Sequence, residues 1–227
     1  MAGAGRSRAA AVGVTAAALA SAFFVAACAT PKPKPVDFSD APRTYVSKDY
    51  PDIYERWTRH DRALNEVDVA IEVWGTFKSW DYREAYVERY AAIYGLSPAD
   101  RTLLRQAQLD SFRQAYDFHL TAQSANYKWN DLEKKDSAWR LTLIDGLGHE
   151  LSPEYVKIER LPDAYESAFF PDKTPFTKSY AVRFPVSGTS DNGSGSGPSE
   201  FVGVKSGSLT LRISSPIGRV ELVWQSE

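Results

Sequence analysis

The hydrophobic pattern of this chain changes its period once, and that change constrains the fold more than any other feature. Before about residue 130 apolar side chains recur every three or four positions, whereas after Asp136 they alternate. A period near 3.6 is typical of a helix with one buried face, and a period of two is typical of a half-buried strand. The sequence therefore predicts an α+β protein, with a helical region over residues 45–136 and a β region over residues 137–227.

The helical region is predicted to contain three helices. The first apolar stripe follows Pro51, which suits the first turn of a helix. Its members are Ile53, Trp57, His60, Leu64, Val67, Ile71 and Trp74. A second stripe carries Tyr82, Tyr86, Tyr90, Ile93 and Tyr94, and Gly95 ends it. Ser97 and Pro98 supply an N-cap and a first-turn proline for a third helix to about Asn126. We expect these helices to form a small bundle or hairpin.

The β region is predicted to hold about six short antiparallel strands. Pro216-Ile217-Gly218 is expected to close a hairpin between strands 208–214 and 219–225. Short strands without intervening helices favour a β-sandwich, for which an immunoglobulin-like arrangement is one form, although the cysteine pair of that family is absent. The segment 187–200 has four glycines and almost no apolar side chains, so a mobile loop is predicted there.

The N-terminal residues 1–27 have the composition of a secretory signal peptide. Arg6 and Arg8 precede an alanine-rich apolar run, and small residues precede Cys28. The sequence Val25-Ala26-Ala27-Cys28 resembles the lipobox of bacterial lipoproteins. This resemblance implies that Cys28 is acylated and attaches the mature protein to a membrane. By the same resemblance, Ala29 after the cysteine implies an outer membrane location facing the periplasm, where the host has one.

The stretch that follows, residues 28–44, is predicted to be a lipidated cysteine with a proline-rich tether, because proline withholds a hydrogen-bond donor and favours extended backbone. Removal of the signal peptide takes away two of 27 basic residues and none of the 29 acidic ones, which leaves a net charge of 25 − 29, or −4. An acidic exported chain without a basic face is not expected to bind nucleic acid. Cys28 is the only cysteine, so no internal disulfide is available.

The remaining residues give no local signature of catalysis. A helical bundle could bring His60 and His119 face to face, but neither histidine has a glutamate three residues before it, the arrangement typical of di-iron bundles. His149-Glu150 lacks the second histidine of a zinc protease helix. We therefore expect no catalytic residues, no metal and no cofactor. The candidate binding residues are the aromatic side chains Tyr82, Tyr86, Tyr90, Phe112 and Tyr116.

The resulting hypothesis is a lipid-anchored cell-envelope protein that acts as a non-catalytic assembly or binding module, with another envelope protein as its partner. Two alternatives stay open. One is a binding module for a small apolar, lipid or glycan ligand, held between helices or where the helical and β regions meet. The other is an envelope or cell-wall-modifying enzyme whose site forms only in the folded chain.

Overall fold

A computed structural model describes Met1, residues 34–186, 189–190 and 199–226. The predicted signal peptide beyond Met1, the lipidated Cys28 and most of the predicted mobile loop 187–200 lie outside the described residues. Pro33–Glu227 forms one compact unit. The predicted boundary at residue 136 therefore does not separate two compact bodies.

The described residues form four α-helices and eleven β-strands, with three short 3₁₀ helices between them. The helices are α1 (Tyr50–Trp57), α2 (Trp80–Tyr94), α3 (Pro98–Gln114) and α4 (Asp163–Phe169). The strands are β1 (Thr58–Asn65), β2 (Asp68–Phe77), β3 (Ala115–Gln123), β4 (Arg140–Asp145), β5 (Glu150–Leu151), β6 (Tyr155–Ile158), β7 (Lys178–Pro185), β8 (Thr189–Ser190), β9 (Ser199–Glu200), β10 (Ser208–Ser215) and β11 (Gly218–Gln225).

Two antiparallel sheets organise the chain, and the predicted α+β class is confirmed at this level. The first sheet has the order β1-β2-β3-β7-β6, and the second has the order β11-β10-β4-β5. A separate two-stranded pair joins β8 to β9 at the ends of the predicted loop. The first sheet combines strands from both sides of residue 136, because β3 pairs with β7 from Ala115↔Pro185 to Ala122↔Lys178.

The main apolar core lies between the two sheets. The ring centroid of Trp224 on β11 is 5.4 Å from that of Phe118 on β3. A Cβ atom added to Gly75 of β2 would lie 2.4 Å from Leu222 Cδ1 of β11, so the glycine permits close approach of the sheets. Alternate residues of β3 point to the opposite face of the first sheet, which packs against helices and carries the site described below.

The predicted first helix is wrong beyond Trp57. The helix ends there, and β1 and β2 form an antiparallel hairpin whose turn includes Glu66 with φ of 57°. Leu64 and Val67, predicted on a buried helical face, are 55% and 92% exposed. The β-branched residues of β2 alternate, and such side chains favour a pleated, half-buried strand over a helix. Steps of four fit both periods but steps of three fit only a helix, so the stripe favoured a helix; the pairing of β1 with β2 decided the outcome.

The predicted third helix is correct at its start and wrong at its end. The Ser97 hydroxyl accepts a hydrogen bond from the Asp100 amide at 3.2 Å, as an N-cap does. The helix ends at Gln114, and residues 115–123 form β3, which pairs with β2 on one side and β7 on the other. Because a central strand gains ladder hydrogen bonds on both edges, tertiary pairing overrides the helical periodicity here. A bundle of the three predicted helices is therefore not confirmed, although the consecutive helices α2 and α3 are in contact.

Other sequence predictions are confirmed. Helix α2 begins after Ser79, whose hydroxyl accepts from the Tyr82 amide, and it ends at Gly95 with φ of 62°. The predicted C-terminal hairpin corresponds to β10 and β11. Helix α4 was not predicted, since the β region was expected to lack helices.

The proline-rich segment is not a free tether over residues 36–43. Val36 is only 2% exposed, and its amide donates to the Gln225 carbonyl at 2.9 Å. The Phe38 ring packs 5.9 Å from Trp57, centroid to centroid. Arg43 forms an ion pair with the buried Asp81 at 3.1 Å. The two apolar residues in this segment provide the burial that the prolines cannot, so residues 36–43, called the strap below, are bound to the folded body.

Candidate functional site

A cavity of about 330 Å³ lies on the helix-bearing face of the first sheet. Residues from α2, α3, α4, β3, β6 and β7 border it, together with Lys78, Glu159, Leu161 and Phe170. These elements are distant in sequence, and the pairing of β3 with β7 brings them together. The cavity mixes aromatic rings with ionisable groups, which is the combination that fixes the orientation of a small ligand.

Tyrosines form one side of the cavity. Tyr82 and Tyr86 lie one turn apart on α2, and their rings are stacked with an interplanar angle of 19°. The hydroxyls of Tyr86 and Tyr165 are 2.8 Å apart, so α4 is hydrogen-bonded to α2 across the cavity. Burial raises the pKa of both Tyr82 and Tyr86. These phenols therefore stay protonated at neutral pH and present hydroxyl groups beside ring faces.

Two arginines bind the carboxylate of Asp117 at another part of the cavity wall. Arg83 Nη2 donates to Asp117 Oδ2 at 2.7 Å, and Arg183 Nε donates to Asp117 Oδ1 at 2.7 Å. The Ser111 hydroxyl donates to the same carboxylate at 2.9 Å. Burial raises the pKa of Asp117, but the hydrogen bond from Arg183 and the charge of Arg83 outweigh it, so the pKa is lowered overall. Asp117 is therefore ionised and fully engaged.

A histidine–carboxylate pair lies beside this cluster. His119 Nδ1 is 2.7 Å from Glu159 Oε2, and the imidazole is stacked on Phe170 with centroids 3.5 Å apart. Burial lowers the pKa of His119, despite the nearby glutamate. Burial raises the pKa of Glu159, but the His119 hydrogen bond and the charge of Lys78 outweigh it and bring the pKa to about 2. Glu159 borders the cavity, whereas His119 supports it from behind.

Lys78 differs from the other ionisable residues of the cavity. Its amide donates to the Asp117 carbonyl at 2.9 Å, which places the residue at the cavity wall. Within the part of the chain that the structure describes, its ammonium group has neither a hydrogen-bond acceptor nor an ion-pair partner. Burial lowers the pKa of Lys78, although Glu159 acts in the opposite direction. A half-buried amine without a partner is a group that a ligand can engage.

The structure brings together only part of the predicted aromatic site. Tyr82 and Tyr86 border the cavity. Tyr90 packs instead against Tyr94 and Phe169, outside the cavity wall. The other two predicted residues lie elsewhere. Phe112 packs against Trp80 with ring centroids 6.2 Å apart, and Tyr116 projects from the other face of β3 toward Phe77 and Phe201.

Sequence reasoning missed the charged half of the site. Asp117 and His119 were predicted to lie on a helix, whereas Arg183 was predicted to lie in the separate β region. The prediction therefore did not place them beside Arg183. Their alternation with Tyr116, Phe118 and Leu120 was the available signal, because it places polar and apolar side chains on opposite faces of a strand. Lys78 and Glu159 carried no signal, since their proximity depends on the sheet order.

His60 and His119, which a helical bundle could have brought face to face, have separate partners in the structure. His60 Nε2 is 2.8 Å from Glu72 Oε1, and its ring stacks on Trp74 with centroids 4.6 Å apart. Among the described residues, no three side chains of His, Cys, Asp or Glu are grouped as metal ligands. No helix in the described ranges combines the length and hydropathy needed to cross a bilayer.

Comparison with known proteins gives a distant structural likeness. No protein-family model matches the chain, and no curated protein matches it. The chain is similar to a protein of unknown function from Burkholderia pseudomallei K96243, known from a crystal structure at 1.90 Å resolution. The likeness has 12% sequence identity and a TM-score of 0.39, over 82% of this chain and 93% of that chain. It gives no information on ligand or activity.

Proposed function

We propose that the chain is a lipid-anchored cell-envelope protein that binds a small, polar, ring-bearing ligand, a monosaccharide or a comparable sugar unit, in the cavity between α2, α4 and the first sheet. The observation that carries this proposal is the composition of the cavity wall. The wall combines the aromatic residues Tyr82, Tyr86 and Tyr165 with the hydrogen-bonded charges of Asp117, Arg183 and Glu159. Sugars combine C–H faces with hydroxyl groups, and such a wall suits both.

The size of the cavity supports a ligand of one ring. Ligand pockets generally measure about 300–1,000 Å³, and a volume of about 330 Å³ lies at the lower end. The charged wall argues against an acyl chain, since apolar atoms would displace water from ionised groups without replacing its hydrogen bonds. Of the binding alternatives left open by the sequence, the cavity favours a small glycan over a lipid. It also favours a small ligand over a protein partner.

The proposed location depends on the signal peptide and on Cys28. Acylation at Cys28 would attach the protein by several chains, each of which contributes about 0.8 kcal/mol per buried methylene. Residues 36–43 then connect the anchor to the folded unit through the Arg43–Asp81 ion pair. The protein would sit at the surface of an envelope membrane, where sugar ligands occur.

Isothermal titration with D-glucose, D-galactose and N-acetylglucosamine tests the binding site. Ala181 borders the cavity, so Ala181→Leu should fill it and abolish binding, as should Leu161→Trp at another part of the wall. Ala107→Leu, on an exposed position of α3, is the matched control. We expect one-to-one binding of at least one sugar to the wild type and the control. Failure of all three sugars, or equal binding by both filled variants, would contradict the proposal.

The anchor is tested separately from the site. Expression of the full chain followed by membrane fractionation should place the wild type in the membrane fraction and Cys28→Ala in the soluble fraction. Mass analysis of the mature N-terminus should show acylated Cys28. An unmodified cysteine would refute the anchor and leave the proposed sugar site standing.

A further inference from the structure

We infer that the ligand of this cavity carries an anionic group, a carboxylate or a phosphate, which binds to the Lys78 ammonium group together with Arg183. This inference rests on the proposed sugar site and names its substrate class as acidic sugars. The starting observation is that Lys78 borders the cavity and that its ammonium group has no hydrogen-bond or ion-pair partner among the described residues. Holding an ammonium group partly out of water is unfavourable unless an opposite charge or an acceptor meets it.

Arg183 supplies a second free donor on the same wall. Its Nε and Nη2 atoms bind Asp117, and Nη2 also lies 3.0 Å from the Ser111 hydroxyl. Its Nη1 atom has no partner within the described residues. The charge of Arg183 is close enough to Lys78 to lower the pKa of that lysine. Lys78 and Arg183 therefore border the same cavity, and each has an N–H donor that no described residue accepts.

Arg83 has no unengaged nitrogen atom with which to bind the anionic group of the ligand. Its Nε donates to the Lys78 carbonyl at 2.8 Å, Nη1 donates to Gln108 at 2.7 Å, and Nη2 donates to Asp117 at 2.7 Å. All three nitrogen atoms of its guanidinium group are thus engaged. Arg83 holds Asp117 and the Lys78 backbone in place, and the ligand is left to the other two cations.

The carboxylates of the cavity leave one positive charge unbalanced. Three cations, Lys78, Arg83 and Arg183, face two anions, Asp117 and Glu159. Asp117 already accepts bonds from two arginines and a serine, and Glu159 is bonded to His119. Neither carboxylate lies within ion-pair distance of the lysine, although the charge of Glu159 acts on it. One monoanionic ligand would bring the site to neutrality.

The same cavity offers aromatic surface to the ring of such a ligand. Tyr155 lies under the Arg183 guanidinium, which is 5.8 Å from its ring centroid, and the Tyr86–Tyr165 pair forms another part of the wall. Because these tyrosines and Lys78 border one cavity, a ligand whose anionic group is bound by Lys78 can contact them with its ring. The geometry therefore favours a compact acid on a ring over a free inorganic anion.

The test compares three probes that differ in charge: D-glucuronate, glucose 6-phosphate and uncharged D-glucose. Isothermal titration is performed with the wild type, Lys78→Met and Lys178→Met. Lys178 is the matched control because it is also a half-buried lysine and does not border this cavity. Thermal unfolding of each variant verifies that it is folded.

We expect at least one acid to bind the wild type and Lys178→Met about 10- to 100-fold more tightly than D-glucose, which is the range for a hydrogen-bonded charge. In Lys78→Met this preference should disappear, so that D-glucose and both acids bind with similar affinity. A preference for glucuronate identifies a carboxylate site, and a preference for glucose 6-phosphate identifies a phosphate site.

Two results would overturn the inference while leaving the sugar site intact. One is equal affinity of the wild type for D-glucose and both acids. The other is an acid preference that persists in Lys78→Met. Failure of all three probes to bind the wild type would instead overturn the proposed function, and with it the inference.

Discussion

The strap should stabilise the fold chiefly through Asp81, and Asp81→Asn tests this. The Asp81 side chain is 1% exposed and accepts a hydrogen bond from Trp57 Nε1 at 2.7 Å. It also accepts from the Tyr45 hydroxyl and pairs with Arg43 at 3.1 Å and Arg56 at 3.4 Å. Asparagine keeps the shape but replaces one accepting oxygen by an NH₂ group and removes the charge from both ion pairs.

The expected loss of unfolding free energy in Asp81→Asn follows from the number of interactions that the substitution removes or weakens. Hydrogen bonds to charged groups contribute about 1.5–3 kcal/mol each, and at least one is lost outright while two ion pairs weaken. The expected loss of unfolding free energy is about 2–4 kcal/mol. With a urea dependence of about 1–3 kcal/mol per molar, the unfolding midpoint should fall by about 1–2 M.

Urea unfolding followed by tryptophan fluorescence measures this loss, and Asp40→Asn, an exposed change in the same strap, is the control. Hydrogen exchange of residues 36–43 provides the local readout, since the Val36 amide is bonded to Gln225. Exchange there should accelerate more than exchange in β10. An unfolding free energy within about 0.5 kcal/mol of the control, or equal acceleration throughout, would refute the assigned role of Asp81.

Three further predictions concern the core, the hairpin and the response to acid. Gly75→Ala should lower the unfolding free energy by about 1–3 kcal/mol in urea titrations, because the new Cβ would lie 2.4 Å from Leu222 Cδ1; an unchanged midpoint would contradict the close approach of the sheets. Val67→Lys should change stability by less than about 0.5 kcal/mol, because Val67 is 92% exposed in the turn; a large loss would favour a buried position. The pKa of Glu159 is about 2 in the folded protein, against an ordinary value of 4.5. The unfolded chain therefore binds a proton at this residue more readily than the folded chain does. About 3 kcal/mol of unfolding free energy should consequently be lost as the pH falls from about 4.5 toward 2. The lowered pKa of His119 also makes the protein less stable in acid, and this loss begins at a higher pH. Glu159→Gln should make the melting temperature depend less steeply on pH in the acid range. An unchanged slope would contradict the role assigned to Glu159.

Local signals allowed two helix ends to be predicted. Gly95 and Ser97 are capping residues whose effect depends on a few neighbouring atoms, and both act as predicted. The C-terminal hairpin was predictable because alternation and a turn sequence occur together within 18 residues, Ser208–Gln225.

The strands that build the site were not predictable in the same way. The segment from Ala115 has a pattern compatible with both helix and strand, and its pairing with β7 involves residues about 60 positions away. The two predicted aromatic residues that border the cavity, Tyr82 and Tyr86, lie on α2, whose apolar stripe and end at Gly95 were predicted correctly. The charged residues came from segments whose neighbours in space are distant in sequence, so a one-dimensional pattern could not group them.

A crystal structure of the protein soaked with D-glucuronate would show whether the cavity beside Lys78 is a ligand site. We expect a sugar ring against Tyr86 and Tyr165, with its carboxylate within hydrogen-bond distance of the Lys78 Nζ atom, at about 2.7–2.9 Å. An empty cavity at saturating glucuronate, or a sugar bound only elsewhere on the surface, would contradict this expectation.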